Sequence, residues 1–186
     1  MRQKSMAVYC GHQFGNDPKF AEHAAEIGRL MAKNKIRLIF GGGNVGLMGT
    51  VAGAVSVNGG WVIGVSTPHV IHKQEPLHEG IKVKVVKNIA ARRQKMFELA
   101  DAFCILPGGT GTLDELTDIL VRQQIGESKK PLYFLNTNGY WNIFSRTMAH
   151  MNRAGFIEDM NDYNMQIFDT PDDVIREFKK EAMKPK

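Results

Sequence analysis

Ala102-Phe-Cys-Ile-Leu106-Pro107-Gly108-Gly109-Thr110-Gly111-Thr112-Leu113-Asp114-Glu115 is the stretch that decides the fold. A short apolar run, bounded by proline and glycine, gives way to helical spacing: a buried strand, a tight loop and the start of a helix. The helix here is expected over Thr112–Ile125. The same sentence repeats outward in both directions. Met6–Cys10, Arg37–Phe40, Trp61–Ser66, Lys82–Val86, Leu132–Leu135 and Gln166–Phe168 read as strands. Helical spacing occupies Pro18 to about Asn34, Leu47–Val57, Ile89–Ala100, Trp141–Ala154 and the segment from Pro171. Strands apolar on both faces, alternating with helices, predict a parallel sheet covered on both sides, a doubly wound α/β (Rossmann-like) fold.

The chain has 186 residues, suited to one nucleotide-binding α/β domain spanning 1–186, and no linker or repeat divides it. Hydrophobic residues at 43% and charged residues at 23% exclude disordered and fibrous classes. No apolar run reaches the roughly 20 residues a bilayer demands, so no membrane partner is expected. The start of the chain lacks the apolar core of a signal peptide, and the two cysteines sit inside strands; both point to the cytoplasm. A net charge of +5 favours anionic partners. The basic residues are scattered and carry no nucleic-acid-binding signature, so a small anion is expected and nucleic acid is not.

In a doubly wound sheet, ligands sit at the carboxyl ends of the strands. Three segments converge there. Gly41-Gly42-Gly43-Asn44-Val45-Gly46 contains G-x-G-x-x-G between a strand and a helix. The dinucleotide version needs an acidic residue about 20 positions on. None occurs between Glu26 and Glu75, which argues against NAD; the absence of G-K-[ST] excludes a P-loop. In Pro107–Glu115 the glycines bring backbone N–H groups within reach of an anion at a helix start. The competing reading is a capping box formed by Thr112 and Glu115, and spacing alone leaves both open. Arg92 and Arg93 lie in the first turns of a helix, mildly unfavourable against the dipole unless an anion is near. A solvated arginine is the competing reading to an anion or substrate clamp at Arg92. Arg92 also precedes Met96 and Leu99 by four and seven residues, which continues the buried stripe to the binding edge.

At these residues the sequence resembles the Lonely Guy (LOG) family, cytokinin-activating nucleoside 5′-monophosphate phosphoribohydrolases long labelled lysine decarboxylases. P-G-G-x-G-T-x-x-E at Pro107–Glu115 and G-G-G-x-x-G-L-M-G at Gly41–Gly49 carry the resemblance. Cys10-Gly11, Ile63-Gly64-Val65, Asp101-Ala102-Phe103 and Asn138-Gly139-Tyr140 extend it over about residues 7–157. The resemblance implies cleavage of an N-glycosidic bond to free base and ribose 5-phosphate, with Arg92 and Glu115 as the catalytic pair. It also implies a homodimer. Substrate and phosphate contacts are expected from Gly42, Gly43, Gly108, Gly109, Thr110, Gly111, Thr112, Arg93 and His12. No cofactor or metal is expected. Adenosine monophosphate and a cytokinin riboside monophosphate both fit the substrate class.

The chain departs from the family at Ile89-Ala90, at Arg93 where lysine is common, and at His12-Gln13 where serines are usual. These positions bear on substrate identity more than on reaction type. The alternative is a non-catalytic nucleotide-binding or cofactor-carrier protein on the same fold. A decarboxylase would need a Schiff-base lysine for pyridoxal phosphate, and no such constellation is legible. Thr67–Ile81 is expected to be an unstructured binding loop or lid; its His69, His72, Glu75 and His78 match no zinc spacing. Trp61 is expected in core or subunit contacts, and the helix begun by Tyr140 and Trp141 could present an outer face to a partner subunit.

Overall fold

A computed structural model describes residues 3–71 and 81–183. Seven strands, β1 (Ser5–Tyr9), β2 (Arg37–Phe40), β3 (Val62–Ser66), β4 (Lys82–Val85), β5 (Ala102–Ile105), β6 (Leu132–Leu135) and β7 (Met165–Phe168), form one parallel sheet in the order β4-β3-β2-β1-β5-β6-β7. The helices are α1 (Pro18–Lys33), α2 (Gly46–Val57), the single-turn α3 (Pro68–Ile71), α4 (Ile89–Leu99), α5 (Thr110–Gln124), α6 (Asn142–Arg153) and α7 (Pro171–Met183). β1 is central, with Ala7 in register with Ile39 on one side and Phe103 on the other. This is the expected doubly wound architecture. No described helix is long and apolar enough to cross a membrane.

Alternation along each strand builds two apolar layers. Met6, Val8, Leu38, Phe40 and Cys104 meet Ile27 and Met31 of α1, Val51 and Val55 of α2 and Ile175 of α7. Ala7, Tyr9, Ile39, Phe103 and Ile105 meet Met96 of α4, Leu116 and Ile119 of α5 and Met148 of α6. Asp17 caps α1 through Lys19 N–H at 2.9 Å, with Pro18 supplying the first helical residue. α1 then crosses α2 closely at Gly28, where an added Cβ would lie 2.7 Å from both the Val51 carbonyl oxygen and Ala54 Cβ. Gly28→Ala is therefore expected to destabilise the protein by about 2 kcal/mol through overpacking, read as a lower urea midpoint at unchanged slope.

Three expectations need correction. β4 (Lys-Val-Lys-Val) is a sheet edge with Lys82 and Lys84 exposed, and so lacks the two apolar faces of the inner strands. Trp61 lies just before β3 and is 61% exposed, because the strand pairing begins one residue later, at Val62. Thr67–Ile81 is not wholly irregular, since α3 occupies its start. His69 is exposed there, while His72, Glu75 and His78 lie outside the described residues.

Candidate active site

The chain winds one way through β2, β3 and β4 and the other way through β5, β6 and β7. The switch point is therefore the crevice between the carboxyl ends of β1 and β5. Gly11, just past β1, joins three loops there. Its N–H donates to the Pro107 carbonyl at 3.0 Å, and its carbonyl accepts from Met48 N–H at 3.3 Å. The loop after β1 then crosses the start of α2 so closely that a Cβ on Gly46 would sit 2.3 Å from the His12 carbonyl carbon. Gly46 also has φ +58°, and only glycine satisfies both demands.

Two helices open onto this crevice without side-chain caps. α2 begins after Val45 and α5 after Gly109, and neither residue supplies a capping bond. The first intrahelical bond of α5 runs from Leu113 N–H to the Gly109 carbonyl at 3.0 Å, so the N–H groups of Thr110, Gly111 and Thr112 precede it. Unsatisfied N–H groups and the positive dipole end suit an anion such as phosphate. The capping-box reading fails here, because Thr112 is already helical and buried, with Oγ1 packed against Gly108. Cβ atoms added to Gly109 and Gly111 would meet nothing within 4 Å, so both glycines face open space. Gly11, His12, Phe14, Leu47, Gly108, Gly109 and Tyr140 line a cleft of about 220 Å³.

Arg92 and Glu115 meet beside this crevice. Asn88 caps α4 by accepting from Ala91 N–H at 2.9 Å, which sets Arg92 in the first turn. Arg92 Nε donates to the Val65 carbonyl and Nη1 donates to Glu115 Oε1, both at 3.0 Å. The guanidinium also lies close against Gly41, where a Cβ would approach Nη2 to 2.0 Å. The two side chains are only 13% and 10% exposed. Burial pushes the Glu115 carboxyl up to about 7, outweighing the downward pull of Arg92. A carboxyl that titrates near neutrality, held against a fixed cation at a strand-end crevice, suits acid–base or cation-stabilising chemistry. Burial, then Glu115, raises the Cys10 thiol above its usual range, so Cys10 stays protonated and is no nucleophile.

The remaining predicted residues divide. Gly42 (φ +78°) and Gly43 are buried in the loop after β2, with Gly42 packed on Ser66. His12 is exposed on the cleft wall. Arg93 turns onto α5, where it pairs with Asp114 and lies 4.0 Å from Asp118. Tyr140 was not expected at the site. Its hydroxyl donates to the Gly108 carbonyl at 2.6 Å and its ring packs edge-on against Phe20. Its neighbour Trp141 is buried at 3% exposure against Phe134 and Phe144. The glycine and asparagine before Tyr140 announce a turn, but its meeting with Gly108 spans 32 residues and is set by the tertiary fold.

The profile of a family described as possible lysine decarboxylase matches residues 48–178. A cytokinin riboside 5′-monophosphate phosphoribohydrolase of Rhodococcoides fascians is 39% identical over 155 residues, covering 83% of this chain and 78% of that one. An Arabidopsis thaliana protein of the same name is 39% identical over 160 residues, covering 86% and 73%. The chain belongs to the Lonely Guy family. Among solved structures, the molybdenum cofactor carrier protein of Chlamydomonas reinhardtii superposes with a TM-score of 0.75 at 18% identity, covering 98% of this chain and all of that one. The molybdenum cofactor binding protein of Rippkaea orientalis gives 0.72 at 22%, covering 98% and 99%. At such identities these two likenesses establish the shared fold. As for the decarboxylase description, among the described residues no lysine lines the cleft or bonds to the Arg92–Glu115 pair, so those residues do not fit a pyridoxal phosphate Schiff base.

Proposed function

We propose that this LOG-family chain hydrolyses the N-glycosidic bond of a nucleoside 5′-monophosphate, such as adenosine monophosphate or a cytokinin riboside monophosphate, as one nucleotide-binding unit. The observation that carries the reading is the buried Glu115–Arg92 pair beside an uncapped helix start. The phosphate binds the N–H groups of Thr110–Thr112, with Gly108 and Gly109 close by and His12 on the opposite wall. Gly42 and Gly43 let the nucleotide approach the backbone. Arg93 stays with Asp114 or swings to the phosphate edge.

The C1′–N bond breaks with its electron pair leaving on the base, and the ribose gains oxocarbenium character that the Glu115 carboxylate stabilises. A water oxygen bonds to C1′, and Glu115 takes the proton that this water gives up. Arg92 holds the carboxylate in place and orients the substrate; its own position is fixed by the Val65 carbonyl. The base takes up a proton from solvent as it departs and Glu115 afterwards returns its proton to solvent, so the products are free base and ribose 5-phosphate and the carboxylate is restored.

The test is a chromatographic assay for free base across a panel of nucleoside 5′-monophosphates. Release of base, with ribose 5-phosphate in equal amount, is the expected result. Nucleotide binding with no release from any member of the panel would overturn hydrolysis in favour of a carrier function. We also assign the chain to the cytoplasm and to homodimers. The first rests on two buried cysteines that are both free thiols, the second on Ile125 and Phe156, 61% and 81% exposed around one recess. Light scattering is expected to return twice the chain mass, and Phe156→Asp to return it to one.

A further inference from the structure

A second pocket lies at the opposite, amino-terminal edge of the sheet, away from the crevice by the length of β3, roughly 16 Å. Arg37, Gly60, Trp61, Val62, Ile63 and Lys82 line about 450 Å³ there. That is within the range of roughly 300–1,000 Å³ usual for small-molecule sites. Arg37 and Lys82 open β2 and β4, and Trp61 immediately precedes β3, so sheet pairing holds the three chemically distinctive side chains side by side.

Their environment is unusual for a solvated surface. The Arg37 guanidinium stacks over the Trp61 indole at 5.5 Å, and its Nε is buried with no hydrogen-bond partner. Among the described residues, neither Arg37 nor Lys82 forms an ion pair; the exposed Arg146 and Arg153 form none either, but Arg37 is half-buried, unlike them. A half-buried arginine without a carboxylate is rare, since the charge loses water and here recovers only the indole contact. Trp61 leaves 61% of its surface exposed, although an indole gains most from being covered. A half-buried arginine with an unmet donor, an exposed lysine and a largely exposed indole match one ligand class: a planar aromatic anion, its ring against the indole and its phosphate or carboxylate on Arg37 and Lys82.

We propose that the Arg37–Trp61–Lys82 pocket binds a small aromatic anion, at a site separate from the catalytic crevice. This inference does not depend on the hydrolase reading. Trp61 and Trp141 are the two tryptophans, so two indole N–H signals appear in the ¹⁵N spectrum of labelled protein. Phenyl phosphate is the probe. The Trp61 signal is expected to shift saturably while that of Trp141 stays in place. Arg37→Gln is expected to weaken binding at least tenfold, and Lys82→Gln, on the exposed edge where folding is safe, several-fold. Inorganic phosphate and phenol are each expected to bind at least tenfold more weakly than the probe. A non-saturable shift, unchanged affinity in Lys82→Gln, or equal binding of phosphate or phenol would overturn the site. So would a Trp61 shift that follows protein concentration without ligand, which would assign this face to self-association.

Discussion

Glu115→Gln is expected to lower the rate of base release by about 10³-fold while leaving nucleotide binding within a few-fold of wild type. The amide keeps the shape and the hydrogen bond from Arg92 but has neither the charge that stabilises an oxocarbenium ion nor a site for the water proton. In the wild type the carboxylate is the working form, so activity is expected to rise about tenfold per pH unit below 7 and to level off above it. The variant's residual activity should lack that rise. Stability moves the opposite way. Burial raises the folded-state pKa from 4.5 to about 7, so folding favours the neutral acid. That contribution is complete below pH 4.5 and is lost as pH rises through 7. The permanently neutral glutamine escapes the loss, so Glu115→Gln is expected to be more stable than wild type at pH 9, by on the order of 2 kcal/mol. The advantage should vanish below pH 5. A variant that is inactive and also less stable at pH 9 would contradict this account of the pair.

Arg92→Gln carries the second large effect. Arg92 is the strongest influence holding the Glu115 carboxyl down, so its removal sends that carboxyl above 7 and leaves the acid form dominant at neutral pH. Base release at pH 7 is expected to fall about 10²- to 10³-fold, and the rising limb of the pH profile should move to more alkaline values. Glu115 escapes an unpaired buried charge by taking a proton, which limits the cost in stability. Arg92→Lys is expected to rescue little. A lysine cannot donate from one planar fork to the Val65 carbonyl and to Glu115 at once. An unmoved pH profile in Arg92→Gln would show that the pair is not coupled as the geometry requires.

Much of this arrangement was readable before any coordinates. The alternation of apolar runs with helical spacing predicted the parallel sheet, because buried strands and amphipathic helices leave different periods in the chain. Arg92 could be singled out because it extends the Met96 stripe and sits awkwardly against a helix dipole. Four features were not readable, one local and three tertiary in origin. The start of α5 falls two residues early, at Thr110, since Gly109 takes up the extended cap conformation that the capping-box alternative gave to Thr112. Trp61 reads as core or subunit-contact material, and only the register of β3 on β2 places it outside the core. The carbonyl that holds Arg92 belongs to Val65, 27 residues away, and backbone acceptors leave no trace in side-chain composition. Tyr140 belongs to the same class, since its partner is the Gly108 carbonyl.

The two backbone hydrogen bonds made by Gly11 have a bearing on motion. One residue beyond the central strand grips the loop after β5 through Pro107 and the first turn of α2 through Met48. Opening either loop means breaking bonds at the middle of the sheet, where local unfolding is as costly as global unfolding. In deuterated water the amides of Gly11 and Met48 should therefore exchange among the slowest, on the timescale of the β1 and β5 strand amides. The floor of the crevice behaves as part of the rigid body, and the N–H groups proposed to receive a phosphate were ordered when the chain folded.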